Sequence, residues 1–173
     1  GVPVHVAKSA DDVAPGVNVT NYERLSKFDS SVFGGVVLDE SSILKSYMGA
    51  TKIALLTAFA STPFRLCCTA TPAPNDHMEL GNHCEFLGIM TSHEMLARWF
   101  MPDQSSFGTY VIRGHAVESF WNWVASWARC AEDPADIGYE QAGFKLPPLT
   151  IERKIVEVDV TEGRTDGMLF RLP

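Results

Sequence analysis

Gly34-Gly35-Val36-Val37-Leu38-Asp39-Glu40-Ser41-Ser42 is an apolar run that ends in two adjacent carboxylates. Val36 to Leu38 are aliphatic without a polar interruption, the pattern of a strand buried on both faces. Asp39 and Glu40 then fall at its carboxyl end, the edge at which open α/β sheets hold their ligands. Two carboxylates on a rigid strand end can divide the work of nucleotide hydrolysis: one holds hydrated magnesium and the other orients the attacking water. The same pattern also fits a strand that runs into an acidic helix start, because carboxylates favour helix N-termini.

A second short apolar strand follows in Phe64-Arg65-Leu66-Cys67-Cys68-Thr69-Ala70-Thr71-Pro72, ending in hydroxyls and a proline. The intervening segment from Ala50 to Phe59 has helix length, and its spacing predicts an apolar stripe through Ile53, Leu56 and Ala60. Strand, helix, strand is a parallel crossover unit. It places Asp39-Glu40 and Thr69-Ala70-Thr71 on neighbouring strand ends, where hydroxyls can bond the carboxylates or Ser42.

Asp39-Glu40-Ser41-Ser42 with Leu44-Lys45, followed by Thr69-Ala70-Thr71-Pro72 and Asn75, resembles the Walker B box and motif III of superfamily-two helicases. The nearest flavour is the Swi/Snf-like branch, in the form common among phage and prophage DEAD/DEAH-box helicases. Thr20 to Leu25 resembles that branch's motif Ib, and Glu79-Leu80-Gly81-Asn82 with Glu85-Phe86-Leu87 resembles the helix after motif III. The resemblance covers residues 17 to 90, with the motifs in order.

This resemblance implies an α/β fold: a partial RecA-like (P-loop NTPase) parallel sheet with flanking helices and a C-terminal helical extension. It implies an ATP-dependent helicase or translocase moving on nucleic acid, with DNA the expected partner and ATP and Mg2+ the cofactors. Glu40 would orient water, and Asp39 would hold magnesium through water. Asp39, Ser42, Thr69 and Thr71 would line the nucleotide, while the Thr20 hydroxyl and Asn21 amide would touch the nucleic-acid backbone. For Thr20 and Asn21, helix capping beside a buried Tyr22 is the other reading. Ser41-Ser42 departs from the commoner Ala-His or Ala-Asp of the family: Ser42 keeps a hydroxyl and lacks the imidazole. Lys45 matches a basic position of that branch, but a solvated helix lysine is the better reading of it.

The sequence contains no Gly-x-x-x-x-Gly-Lys-[Ser/Thr] phosphate loop. The family order therefore implies a piece of a longer protein, the back half of a first lobe. Residues 1–148 would form that partial lobe, with the helical extension at about 91–138, and 149–173 would link to the second lobe. The expected partners include that second RecA-like lobe and an N-terminal segment of the same parent. Such a piece would be inactive alone, and the expected compartment is the cytoplasm of a bacterial or phage-infected cell.

Composition fits an ordinary globular domain: 173 residues, 46% hydrophobic and 20% charged. A net charge of -7 argues against a dedicated nucleic-acid module, although helicases grip the backbone with scattered side chains. No run is long and apolar enough to cross a bilayer, so no membrane partner is expected. Cys67 and Cys68 point to opposite faces of a strand and cannot readily bridge each other. Cys84, Cys130, His77, His83 and His93 lack metal-ligand spacing, so the thiols read as core filling in a reducing compartment.

Along the chain, strands are expected at Val2–Ala7, Val17–Thr20 and Thr109–Ile112, with a short helix at Asn21–Leu25. Helices are expected from an Asp76 cap to Met90, and over Ser92–Phe100 with Ser92 opposite Met95, a capping box lacking its glutamate. Met101–Gly108 reads as a loop. A helix over Glu118–Arg129, ended by Asp133-Pro134, puts Phe120, Trp123, Val124 and Trp127 on one face with Trp121 offset. That stripe could stack bases, but its spacing is that of core packing. Gly138–Leu149 is a turn-rich connector, and Ile151–Val160 alternates like an edge or linker strand. Two further functions fit these residues: a non-catalytic α/β module docking through the tryptophan helix, and a metal-dependent phosphoesterase joining Asp39 and Glu40 to Asp76 or His77.

Overall fold

The computed structural model describes residues 1–46, 49–105, 108–140 and 147–155. Its valine-rich start forms strands β1 (Val4–Val6) and β2 (Val17–Val19), paired in parallel with Val4 opposite Val17 and Val6 opposite Val19. Strands β3 (Gly35–Leu38) and β4 (Phe64–Cys67) are also parallel and are joined through helix α1 (Ala50–Ala58). This is the crossover unit expected around the acidic pair. Helices α2 (Leu80–Leu87) and α3 (Ser92–Trp99) follow, then the antiparallel pair β5 (Phe100–Pro102) and β6 (Tyr110–Ile112), then helix α4 (Val117–Trp127). The class is mixed α/β. Among the described residues the strands form three separate two-stranded sheets rather than one continuous parallel sheet.

The chain divides into two compact units, Gly1–Ala128 and Arg129–Pro173. In the first, Leu38, Leu44, Leu55, Phe59 and Phe86 form one buried cluster, and Leu80, Met95, Trp99, Phe100, Ala116 and Phe120 form another. Helix α2 contributes to both, Phe86 to one and Leu80 to the other, so it fixes the acidic strand's core against the aromatic one. Its approach to α3 is close at Gly81, where an added Cβ would lie 3.0 Å from the Met95 methyl and 3.2 Å from the Ser92 Cα. Gly88 ends α2 at φ 74°, the left-handed cap that glycine adopts without steric cost. In the second unit, Asp133 caps a single turn over Pro134–Ile137, and Gly138 closes it at φ 87°.

Several expectations shift in the structure for identifiable reasons. Strand β3 is buried on one face only: Leu38 is 3% exposed, whereas Val37 is 62% exposed, because no second layer covers it among the described residues. Helix α1 buries Lys52 and Leu55, with Phe59 just beyond its end, while Ile53 is exposed and Ala60 lies past the helix. The apolar stripe is therefore displaced by a buried lysine with partners. The residue that caps α3 is Thr91, not Ser92, and Glu94 completes the capping box by accepting from the Thr91 amide at 2.9 Å. The short helix expected at Asn21–Leu25 is a tighter 3-10 turn over Tyr22–Lys27. Phe100–Pro102 leaves the helix as a strand because Tyr110–Ile112 offers it a partner.

Helix α2 stops at Leu87 rather than Met90, and α4 ends at Trp127, before Asp133-Pro134, which starts the next turn. The aromatic stripe of α4 packs inward as its spacing predicts: Phe120 is fully buried, and Trp99 stacks on Trp123 with ring centroids 4.5 Å apart. Ile151 to Ile155 carry no strand, and the rest of that predicted segment, with residues 141–146 of the connector, lies outside the described residues.

Candidate functional site at the β3 and β4 tips

The pairing of Leu38 with Cys67 does not end with the strands. The Cys68 amide donates to the Leu38 carbonyl at 2.8 Å, and the Ser41 amide donates to the Cys68 carbonyl at 3.0 Å. Asp39-Glu40 and Thr69–Thr71 consequently leave the same sheet edge side by side. Both carboxylates are exposed. The Asp39 Oδ1 accepts the Glu40 amide at 3.1 Å, and Glu40 sits at φ 49° and ψ 48°, left-handed. It is the only residue other than glycine with positive φ among the described residues, a conformation that costs a side-chain-bearing residue roughly 1–2 kcal/mol.

The side chains of Tyr22, Ser41, His83 and Cys67 lie beneath this turn. The Tyr22 hydroxyl donates to the Asp39 carbonyl, and burial, with the Cys67 thiol, Asp39 and Glu40 nearby, pushes the phenol up to about 12. Ser41 is fully buried, and its Oγ lies 3.2 Å from the His83 Nε2 on α2. Burial pushes the Cys67 thiol up to about 12, an effect the adjacent Ser41 hydroxyl partly offsets. Burial likewise lowers the His83 pKa, against the opposing pull of Glu79 and Ser41.

The hydroxyl crossing between the two tips is thus Ser41, where the sequence pointed to Ser42. Ser42 is half-buried on the 3-10 turn over Ser41–Lys45, and Thr69 Oγ1 accepts the Thr71 amide at 3.1 Å. Neither threonine hydroxyl bonds Asp39, Glu40 or Ser42 among the described residues; they flank the carboxylates without touching them. Thr20 and Asn21 are exposed, and Asn21 starts the 3-10 turn over Tyr22–Lys27 without a side-chain cap, so the capping expected of it is made by backbone alone.

An exposed single carboxylate suits magnesium held mainly through water and phosphate. Among the described residues, His, Cys, Asp and Glu form no cluster of three or more able to hold a metal directly. In particular, Asp76 caps the turn before α2 and His77 packs edge-on against Trp121, with ring centroids 5.3 Å apart. Both line an open cleft of about 470 Å³ with Asn75, Tyr110 and Trp121, not the acidic tip. The third function considered, a phosphoesterase built on that union, has no assembled ligand set there.

A buried polar network behind the tip escaped the sequence reading. Lys52, 5% exposed, donates from Nζ to Asn82 Oδ1 at 2.9 Å and pairs with Glu85 Oε2 at 2.8 Å. Asn82 Nδ2 donates to the Lys45 carbonyl at 3.0 Å, and Ser92 Oγ donates to Glu85 at 2.7 Å. Burial raises the Glu85 pKa, but its hydrogen bonds to Lys52 and Ser92 outweigh this and leave it below the ordinary carboxylate value. Asn82 and His83, at consecutive helical positions, are both buried, and nothing in their spacing marks them as inward-facing. No protein-family model matches the chain, and no curated protein or solved structure matches it significantly. No helix among the described residues is long and apolar enough to cross a membrane.

Proposed function

We propose that the chain supplies the hydrolytic strand tips of a RecA-like, ATP-dependent helicase or translocase lobe acting on nucleic acid. The observation that carries this reading is the ladder continuing past β3 and β4, which sets Asp39-Glu40 beside Thr69–Thr71 on one edge. In this reading Asp39 holds hydrated magnesium, Glu40 orients the attacking water, and Ser42, Thr69 and Thr71 lie within reach of the phosphates. When bound, magnesium would neutralise charge developing on the transferred phosphoryl group. Thr20 and Asn21, exposed after β2, are the candidate contacts to DNA. Other polypeptide supplies the phosphate loop and second lobe, so the 173-residue chain binds ATP weakly and does not turn it over. The test uses manganese with ATP: paramagnetic broadening should concentrate on the amides of Asp39–Ser42 and Thr69–Thr71 and vanish in Asp39→Asn. Broadening elsewhere, or steady-state hydrolysis by this chain alone, would refute the assignment.

A second reading, a non-catalytic α/β interaction module, draws support from the outward face of β3 and β4, where Val37, Phe64 and Leu66 are 62%, 75% and 53% exposed. Parallel sheets ordinarily have both faces covered. On this reading docking uses the sheet face rather than the inward-packed tryptophan helix, and manganese with ATP leaves the tip amides unbroadened.

A further inference from the structure

Ser41 and His83, 42 positions apart, meet in the interior of the first unit, 0% and 3% exposed. Around them α2 and the Glu79 that precedes it fasten two separate segments with polar side chains. Glu79 accepts the Asn75 side-chain amide at 2.7 Å and its backbone amide at 3.3 Å, which ties down the loop leaving Thr69–Pro72. Asn82 holds the Lys45 carbonyl at the end of the turn that follows Glu40. His83 holds Ser41, the residue directly after Glu40.

The His83 Nδ1 is buried without a hydrogen bond of full geometry, and the Glu79 backbone one turn back pulls on the ring. Of the two neutral tautomers, the one protonated at Nε2 donates to the Ser41 Oγ, whereas the one protonated at Nδ1 accepts there from the Ser41 hydroxyl and turns its proton toward the Glu79 backbone; either keeps the Ser41 contact. Burial favours the neutral ring. A leucine at this position would fill similar space without a buried polar atom to satisfy, so packing alone does not account for the imidazole.

We propose that His83 is a positioning residue: through Ser41 it locks the left-handed Glu40 turn against the β4 tip, so that the Glu40 carboxylate keeps one orientation relative to Thr69–Thr71. Its chemical purpose rests on the hydrolytic reading above, but the ordering itself is measurable without nucleotide.

The experiment compares His83→Leu, His83→Gln and Ser41→Ala in the full 173-residue chain by amide hydrogen exchange, then by manganese-ATP titration. In His83→Leu and Ser41→Ala the Ser41 amide should lose about tenfold in protection while the amides of α3 keep theirs. His83→Gln, whose side-chain amide can donate to or accept from the Ser41 hydroxyl, should recover most of it, and the double variant should lose no more than either single. Manganese-ATP affinity should fall about five- to tenfold in His83→Leu and return in His83→Gln. Unchanged Ser41 protection in His83→Leu, or equal loss across the whole unit in all three variants, overturns the proposal. If the unaltered chain shows no manganese-ATP binding, the hydrolytic reading falls, and the exchange data still decide whether His83 orders the turn.

Discussion

Replacing Lys52 with methionine keeps the aliphatic stem and removes the ammonium from an interior position. In the native chain that ammonium lies 2.9 Å from Asn82 Oδ1 and 2.8 Å from Glu85 Oε2, with the two paired side chains 6% and 30% exposed. Removing one partner from a fully buried pair costs about 3–5 kcal/mol. Water can resolvate part of Glu85, which lowers that cost, while the wholly buried Asn82 oxygen loses its Lys52 donor, a penalty of about 1–3 kcal/mol. The net expectation for Lys52→Met is a loss of roughly 2–3 kcal/mol. At about 2–4 °C per kcal/mol for a chain of this size, Tm should fall by roughly 5–10 °C. Calorimetry with urea unfolding at constant slope reads the change directly. A loss under about 0.5 kcal/mol, or a gain, would mean that desolvation of the pair cancels its attraction, and α2 would then need another explanation for its placement.

The same network has an acid signature. Glu85 titrates below its ordinary 4.5, so its contribution is full above that value and is lost as pH falls through the lowered native value; a Glu85→Gln variant should show a flatter acid-unfolding profile by circular dichroism. At Glu40, φ is 49°, so Glu40→Gly should be more stable than Glu40→Ala by about 1 kcal/mol, measured by urea unfolding; equal stabilities would refute the left-handed assignment. When the chain is joined to polypeptide carrying a phosphate loop and second lobe, Glu40→Gln should abolish ATP turnover while nucleotide affinity stays within about twofold. Loss of binding instead would give Glu40 a different role.

The crossover unit was legible because β3 and β4 are short, mostly apolar runs with helix-length sequence between them, and length and composition suffice for that. The inward face of α4 was legible for the same reason. What periodicity could not reveal was which α1 residues are buried: a pattern that scores lysine as polar cannot foresee that Asn82 and Glu85, some 30 residues on, make its burial tolerable. The choice between Ser41 and Ser42 depended on Glu40 turning left-handed, which rotates the next side chain inward, and glutamate gives no local warning of that conformation. The expected single sheet rested on a family likeness rather than on the strands themselves, which are only three or four residues long here.

The handedness of Glu40 also separates two acids that a sequence alignment would treat as interchangeable neighbours. Asp39 belongs to the strand's exit and folds one oxygen back onto the following amide, whereas Glu40 takes the left-handed step into the 3-10 turn. Transposing them to Glu-Asp would preserve charge and composition yet move each carboxylate to the other's vantage. Order within the pair is therefore itself a structural specification, set by the left-handed backbone at Glu40.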